Sequence, residues 1–206
     1  FLLDFSPEIN YHKHYINRYA FLFNEYIGNK YVYLPELSLR HTGQKTFQFD
    51  NSHKTIALYL GGENKEFRKY PDEYAVQLLR LLNRQGYNLL LIGDENDNIK
   101  HTQYAEEARI DHLINLTART TIEGFINTIA NVDLIITIDS SALHIAAAVK
   151  TPFIALMGLS TSPTSTILPK VPLGRILKIE NNLIREEDYI RNITPDLILK
   201  TISELI

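Results

Sequence analysis

Six consecutive residues, Asp139-Ser140-Ser141-Ala142-Leu143-His144, bring a carboxylate, two hydroxyls and an imidazole to one short stretch. They lie between an apolar β-branched run, Leu134 to Ile138, and an alanine-rich stretch that ends before Pro152. That order reads as strand, turn and helix, with a second strand after Pro152. The first N–H groups of a helix lack intrahelical partners and carry partial positive charge, so such a junction suits an anion, a phosphate above all. The alternative is a serine N-cap with a histidine tucked beneath the helix. Ala146, Ala147 and Ala148 imply close packing of helix on sheet. Close packing holds the turn rigid, as a phosphate cradle requires.

Other stretches offer complementary chemistry. Gly61-Gly62 allows backbone to approach a ligand closely, and Arg68 and Lys69 could place positive charge on a diphosphate, unless they are simply solvated. Asp94, Glu95 and Asp97 follow a strand, where a carboxylate can accept the hydroxyls of a ribose or merely complement a helix dipole. Thr120 and Thr121 read most simply as helix caps, and Thr161, Ser162 and Thr164 as pocket lining or loop filler.

The elements that must position these groups alternate regularly from Lys54 onward. Strands are expected at Thr55 to Leu60, Tyr87 to Ile92, Leu113 to Leu116, Leu134 to Ile138, after Pro152, and at Arg175 to Ile179. Helices are expected from Pro71 to about Gln85, from the acidic turn at 94–97 to about Arg109, from Thr121 to Ala130, after Ser140, and after the cap Thr194. Strands buried on both faces and alternating with helices predict a parallel α/β sheet covered on two sides, a Rossmann-like domain spanning 51–206. Ligands of such sheets bind beyond the carboxyl ends of the strands, which is where every candidate lies. Residues 1–50 differ in texture, with a tyrosine-rich helix expected to end near Gly28, a short extended piece at Tyr31 to Pro35, and a polar loop. They read as the tail of a preceding domain plus a linker.

Bulk properties narrow the class. The 206 residues are 45% hydrophobic with a formal charge of −3, and no basic run suggests a nucleic-acid surface. There is no cysteine, hence no disulfide or cysteine-ligated metal. Apolar runs are strand-length, too short to cross a bilayer as a helix. The start, Phe-Leu-Leu-Asp-Phe, has neither a basic region nor a cleavage site and reads as part of a longer chain. G-x-S-x-G, P-loop, H-E-x-x-H and G-x-G-x-x-G motifs are all missing from the sequence.

In order, Gly61-Gly62, R-K-Y-P at 68–71, L-L-L-I-G-D-E at 89–95, N-L-T-A-R-T-T at 115–121, D-S-S-A-L-H-I-A-A-A at 139–148 and T-P-F-I-A-L-M-G at 151–158 resemble the C-terminal domain of glycosyltransferase family 9, the lipopolysaccharide heptosyltransferases. The resemblance implies one half of a GT-B type enzyme whose C-terminal domain binds a nucleotide-sugar donor, ADP-heptose, for inverting transfer to a lipopolysaccharide core or other glycan acceptor. It implies donor contacts at Gly61, Gly62, Arg68, Lys69, Glu95, Asp97, Thr120, Asp139, Ser140, Ser141, Ala142 and His144, with room for magnesium and no catalytic residue within this chain. The family's general base is an aspartate near the start of its N-terminal domain, so this chain is expected to bind donor without turning it over alone. The resemblance also implies a cytoplasmic protein of a Gram-negative bacterium, peripheral at the inner face of the inner membrane through the N-terminal domain. Four positions depart from the family: Arg68 for lysine and Tyr70 for tryptophan in K-x-W-P, Ser141 for glycine, which is expected to alter the turn, and Ala118 for glycine. A GT-B transferase or epimerase using a UDP-sugar, and a non-catalytic nucleotide-binding domain, are the competing readings.

Overall fold

A computed structural model of the chain describes residues 28, 38–61, 68–158, 169, 171–179 and 185–206. The expected helix before Gly28, the extended piece at Tyr31 to Pro35, Gly62, and the hydroxyls of Thr161, Ser162 and Thr164 lie outside the described residues. Six strands form one parallel sheet: β1 (Thr55–Tyr59), β2 (Asn88–Leu91), β3 (Leu113–Asn115), β4 (Leu134–Ile138), β5 (Phe153–Leu156) and β6 (Gly174–Leu177). Their spatial order is β3-β2-β1-β4-β5-β6. Every residue of β2, β4 and β5 is buried, which is why these segments are continuous apolar runs rather than alternating ones. The chain enters at the centre of the sheet, builds outward to β3, and then crosses back to place β4 on the other side of β1. The switch point therefore falls between β1 and β4, whose register pairs Tyr59 with Thr137.

Among the described residues five α-helices cover the sheet: α1 (Asp72–Arg84), α2 (Asn98–Ala108), α3 (Ile122–Ala130), α4 (Ser141–Val149) and α5 (Pro195–Ile202). Alternate strand residues divide between two cores. Ile56, Leu58, Leu89, Leu91, Ile136 and Leu156 pack with α1, α2 and α5, while Ala57, Leu90, Ile135, Phe153 and Ala155 pack with α3 and α4. The helices begin close to the expected positions for the expected reasons. Thr121, Ser140 and Thr194 each accept a hydrogen bond from a backbone N–H in the turn they cap. Pro71 stands one position earlier than expected, at the N-cap of α1 with ψ 135°, rather than inside its first turn. A 3₁₀ segment, Glu186–Asn192, precedes α5 without a sequence signal of its own.

Residues 38–50 follow the α3–α4 face. Leu39 N–H donates to the Ala148 carbonyl at 3.2 Å, Thr42 exchanges two hydrogen bonds with the Asn127 side chain, and Thr46 meets Thr128 at 2.6 Å. Phe47 and Phe49 then pack against the core of that face.

Candidate functional site

The sequence places a basic loop after β1 and the Asp139 turn after β4, and the strand order makes those two loops neighbours across the switch point. Arg68 and Asp139 meet there, guanidinium to carboxylate at 3.7 Å, with the side chains 19% and 14% exposed. At that separation the pair is a charge contact longer than a hydrogen bond. The turn after Asp139 starts α4. Ser140 is its N-cap, and its hydroxyl is fully engaged, accepting the Ala142 N–H at 3.2 Å and bonding Thr137 Oγ1 at 2.9 Å. The capping reading thus holds for the Ser140 side chain. His144 is exposed one turn into α4, not tucked beneath the helix, and Asp139 is half-buried. Ala142 is buried, so it offers backbone only.

Beside this junction a cleft of about 420 Å³ is lined by Tyr59, Gly93, Asp94, Glu95, Ala118, Thr120, Thr121, Ile122, Phe125 and Ser141. Of the expected donor-site residues, Glu95, Thr120 and Ser141 line it. The Tyr59 and Phe125 rings meet edge to face at 6.3 Å and give it an aromatic wall. Sequence reasoning did not single out Tyr59, Ile122 or Phe125, because each satisfies the apolar pattern of its own strand or helix. Ile122 is 73% exposed at the start of α3, which only the fold reveals.

The family departures acquire physical reasons. Ala118 sits at φ 60°, the left-handed region where glycine is the natural occupant. Ser141 does not share that conformation; it begins α4, so the turn is ordinary and the substitution instead adds a hydroxymethyl group to the cleft. Tyr70 is fully buried, and its hydroxyl donates to the Ile193 carbonyl at 2.8 Å, tying the basic loop to the segment before α5. Burial pushes its phenol far above the ordinary range, with Tyr74 and Asp196 adding to the effect, so it is a permanent donor.

Other expected residues lie elsewhere. Asp97 is 5% exposed and does not line the cleft. A Cβ on Gly61 would stand 1.7 Å from Asp97 Oδ1, and one on Gly93 would stand 2.7 Å from Oδ2. Both glycines therefore make room for this carboxylate. Asp97 Oδ2 also accepts the Asp94 N–H at 3.3 Å, completing a capping box in which the Asp94 carboxylate accepts from Asn96 N–H. Lys69 is half-buried outside the cleft, with its charge felt by Asp72. Burial would raise the Asp72 carboxyl, but hydrogen bonds from Lys100 and Tyr104 and the charges of Lys100 and Lys69 together hold it below its ordinary value. Among the described residues no three His, Asp or Glu side chains converge as a metal-binding group.

A parallel α/β sheet in this order, covered by helices on both faces, with a charged junction at its switch point and a cleft beside it, defines a Rossmann-like domain. The chain belongs to glycosyltransferase family 9 (heptosyltransferase), whose profile matches residues 2–187. It is 31% identical over 163 residues to lipooligosaccharide heptosyltransferase 2 of Haemophilus influenzae, covering 73% of this chain and 47% of that protein. Against lipopolysaccharide heptosyltransferase 2 of Salmonella typhimurium it is 25% identical over 172 residues, covering 78% and 49%. The chain thus spans about half the length of the curated relatives it matches. In fold it is similar to the family 9 glycosyltransferase of Veillonella parvula, with TM-score 0.78 and 17% identity over 97% of this chain and 62% of that one. An E. coli heptosyltransferase solved with ADP-2-deoxy-2-fluoro heptose gives TM-score 0.66 and 15% identity, covering 97% and 58%. The architecture is therefore that of one half of a GT-B type enzyme. No helix among the described residues is long and apolar enough to cross a membrane.

Proposed function

We propose that this chain holds the nucleotide-sugar donor, ADP-heptose, for inverting transfer to a lipopolysaccharide core acceptor. The observation that carries the reading is the meeting of Arg68 and Asp139 across the β1–β4 switch point, at the N-terminus of α4. Asp139 orients the guanidinium, which with the leading amides of α4 and the exposed His144 receives the diphosphate. Glu95, at the cleft mouth, accepts from the ribose hydroxyls, and the base lies along Phe125 and Ile122. Ser141 and Thr120 complete the lining. In the transfer step these groups stabilise the charge that develops on the departing diphosphate. Activation of the acceptor hydroxyl is assigned to the part of the family's proteins outside these residues, together with acceptor binding and contact with the inner face of the inner membrane.

Calorimetry on the 206-residue chain tests the reading. ADP is expected to bind and UDP to bind more weakly. Arg68→Ala and Asp139→Ala should each lower ADP affinity about five- to a hundred-fold, the loss of one charge-assisted partner at roughly 1–3 kcal/mol. Unchanged affinity in both variants removes the proposal. Multiple turnovers by this chain alone with ADP-heptose and a core acceptor would overturn the assignment of the general base.

A further inference from the structure

Two buried polar side chains one turn apart, Asp97 and His101, stand where α2 begins, behind the cleft. Asp97 fills the space left by Gly61 after β1 and Gly93 after β2. His101 has no exposed surface, and its Nδ1 is 2.7 Å from Oγ1 of Thr117, which is itself fully buried in the loop after β3. Thr117 precedes Ala118, whose N–H donates to the Gly93 carbonyl at 3.2 Å. Three loops that follow adjacent strands are thus gathered on one helical turn. We infer that Asp97 and His101 form a buried polar clamp that fixes the β1, β2 and β3 loops relative to one another and so sets the shape of the nucleotide cleft.

His101 Nε2 is buried without a hydrogen-bond partner. An imidazole with one unsatisfied ring nitrogen is a poorer core filler than leucine, so filling volume does not explain it. What it supplies is the Nδ1 bond, and that bond ends on the residue beside the left-handed turn at Ala118 that lines the cleft. Asp97 likewise is a buried polar side chain in a site where two glycines leave room for it. Both are positioning residues: neither lines the cleft, and each acts through a loop that does.

The effect on ligand rests on the nucleotide reading; the effect on the loops does not. Two measurements on the 206-residue chain separate them: amide hydrogen exchange at residues 116–121, and ADP affinity by calorimetry. His101→Leu and Thr117→Val should each speed exchange in that loop and weaken ADP about tenfold, the double variant being no worse than either single one. His101→Asn carries an amide nitrogen where Nδ1 stands and should restore both readouts, whereas His101→Gln, closer in volume but reaching to the Nε2 position, should not. A packing role predicts the opposite ranking, and Gln outperforming Asn overturns the clamp. So does a lower melting temperature with loop exchange unchanged. Should His101→Leu fail to fold, Thr117→Val carries the comparison. If the parent chain takes no ADP while loop exchange still follows the Asn-over-Gln order, the donor reading fails and the clamp stands.

Discussion

Ala118 shows how one side chain can be held in the wrong conformation by its surroundings. Its N–H is committed to Gly93 and the next N–H, of Arg119, to Leu116, so the loop has no freedom to relax φ from 60°. A left-handed alanine costs roughly 1–2 kcal/mol, part of which glycine would lose again through the greater entropy of its unfolded chain. Ala118→Gly is therefore expected to stabilise by up to about 1 kcal/mol, seen as a higher denaturant midpoint at unchanged slope; a clear loss of stability would show that the methyl group makes a contact worth more than the strain. His101 is the second residue with a measurable signature. Burial lowers its pKa from 6.5 to about 4, against a smaller opposing pull from the Asp94 charge. The unfolded chain then binds the extra proton first, so stability is complete above pH 6.5 and falls as pH drops toward 4. The loss from this residue amounts to about 3 kcal/mol across that window. Unfolding free energies of the parent and His101→Asn should converge as pH is lowered through it, and parallel curves would contradict the neutral buried imidazole.

At the scale of elements, the β4–α4 junction was the most legible feature because its signals are local. A β-branched run, a serine cap and three small residues fall within fifteen positions, and the structure returns β4 (Leu134–Ile138) with the expected ends. Ser140→Ala should cost about 1 kcal/mol through loss of the cap, measurable as a lower melting temperature. The additional bond from Thr137 should make the loss exceed that of Thr121→Ala, whose cap is exposed. The cleft was legible as loops but not as side chains. An acidic turn after a strand suits either a ribose contact, by Asp97 or Glu95, or a helix dipole, and the sequence does not choose between them; the burial of Asp97 follows from Gly61, thirty-six positions earlier, and no periodicity reports a contact across that separation. Tyr70 is similar. A tyrosine in place of the family's tryptophan reads as a departure until its hydroxyl is seen to reach Ile193, and that partner directly follows a 3₁₀ segment with no pattern to announce it.

At the scale of the whole molecule, the two faces of the sheet are finished differently. Three helices cover one core, while α3 and α4 share the other with residues 38–50, which supply Phe47 and Phe49 and three side-chain or backbone attachments. A boundary at residue 51 follows from composition, since 38–50 is polar and lacks a period of either 2 or 3.6. Physically, those residues shield apolar surface that α3 and α4 leave open, and Thr42 satisfies the buried Asn127 amide, which would otherwise lose both its partners there. Removing the segment should therefore expose apolar area and strand a polar side chain, each on the order of 1–3 kcal/mol. Two truncations isolate the effect: chains beginning at residue 38 and at residue 51, compared by thermal melting and by aggregation. The chain from 51 is expected to melt several degrees below the chain from 38 and to aggregate sooner, with Asn127→Ala making up part of the difference in the longer chain. Equal melting temperatures would mean that 38–50 merely lies on the surface and that the folded unit begins at 51. The comparison also bears on the cleft, because α3 carries Ile122 and Phe125 on its wall, and a helix loosened on its outer side should hold that wall less firmly.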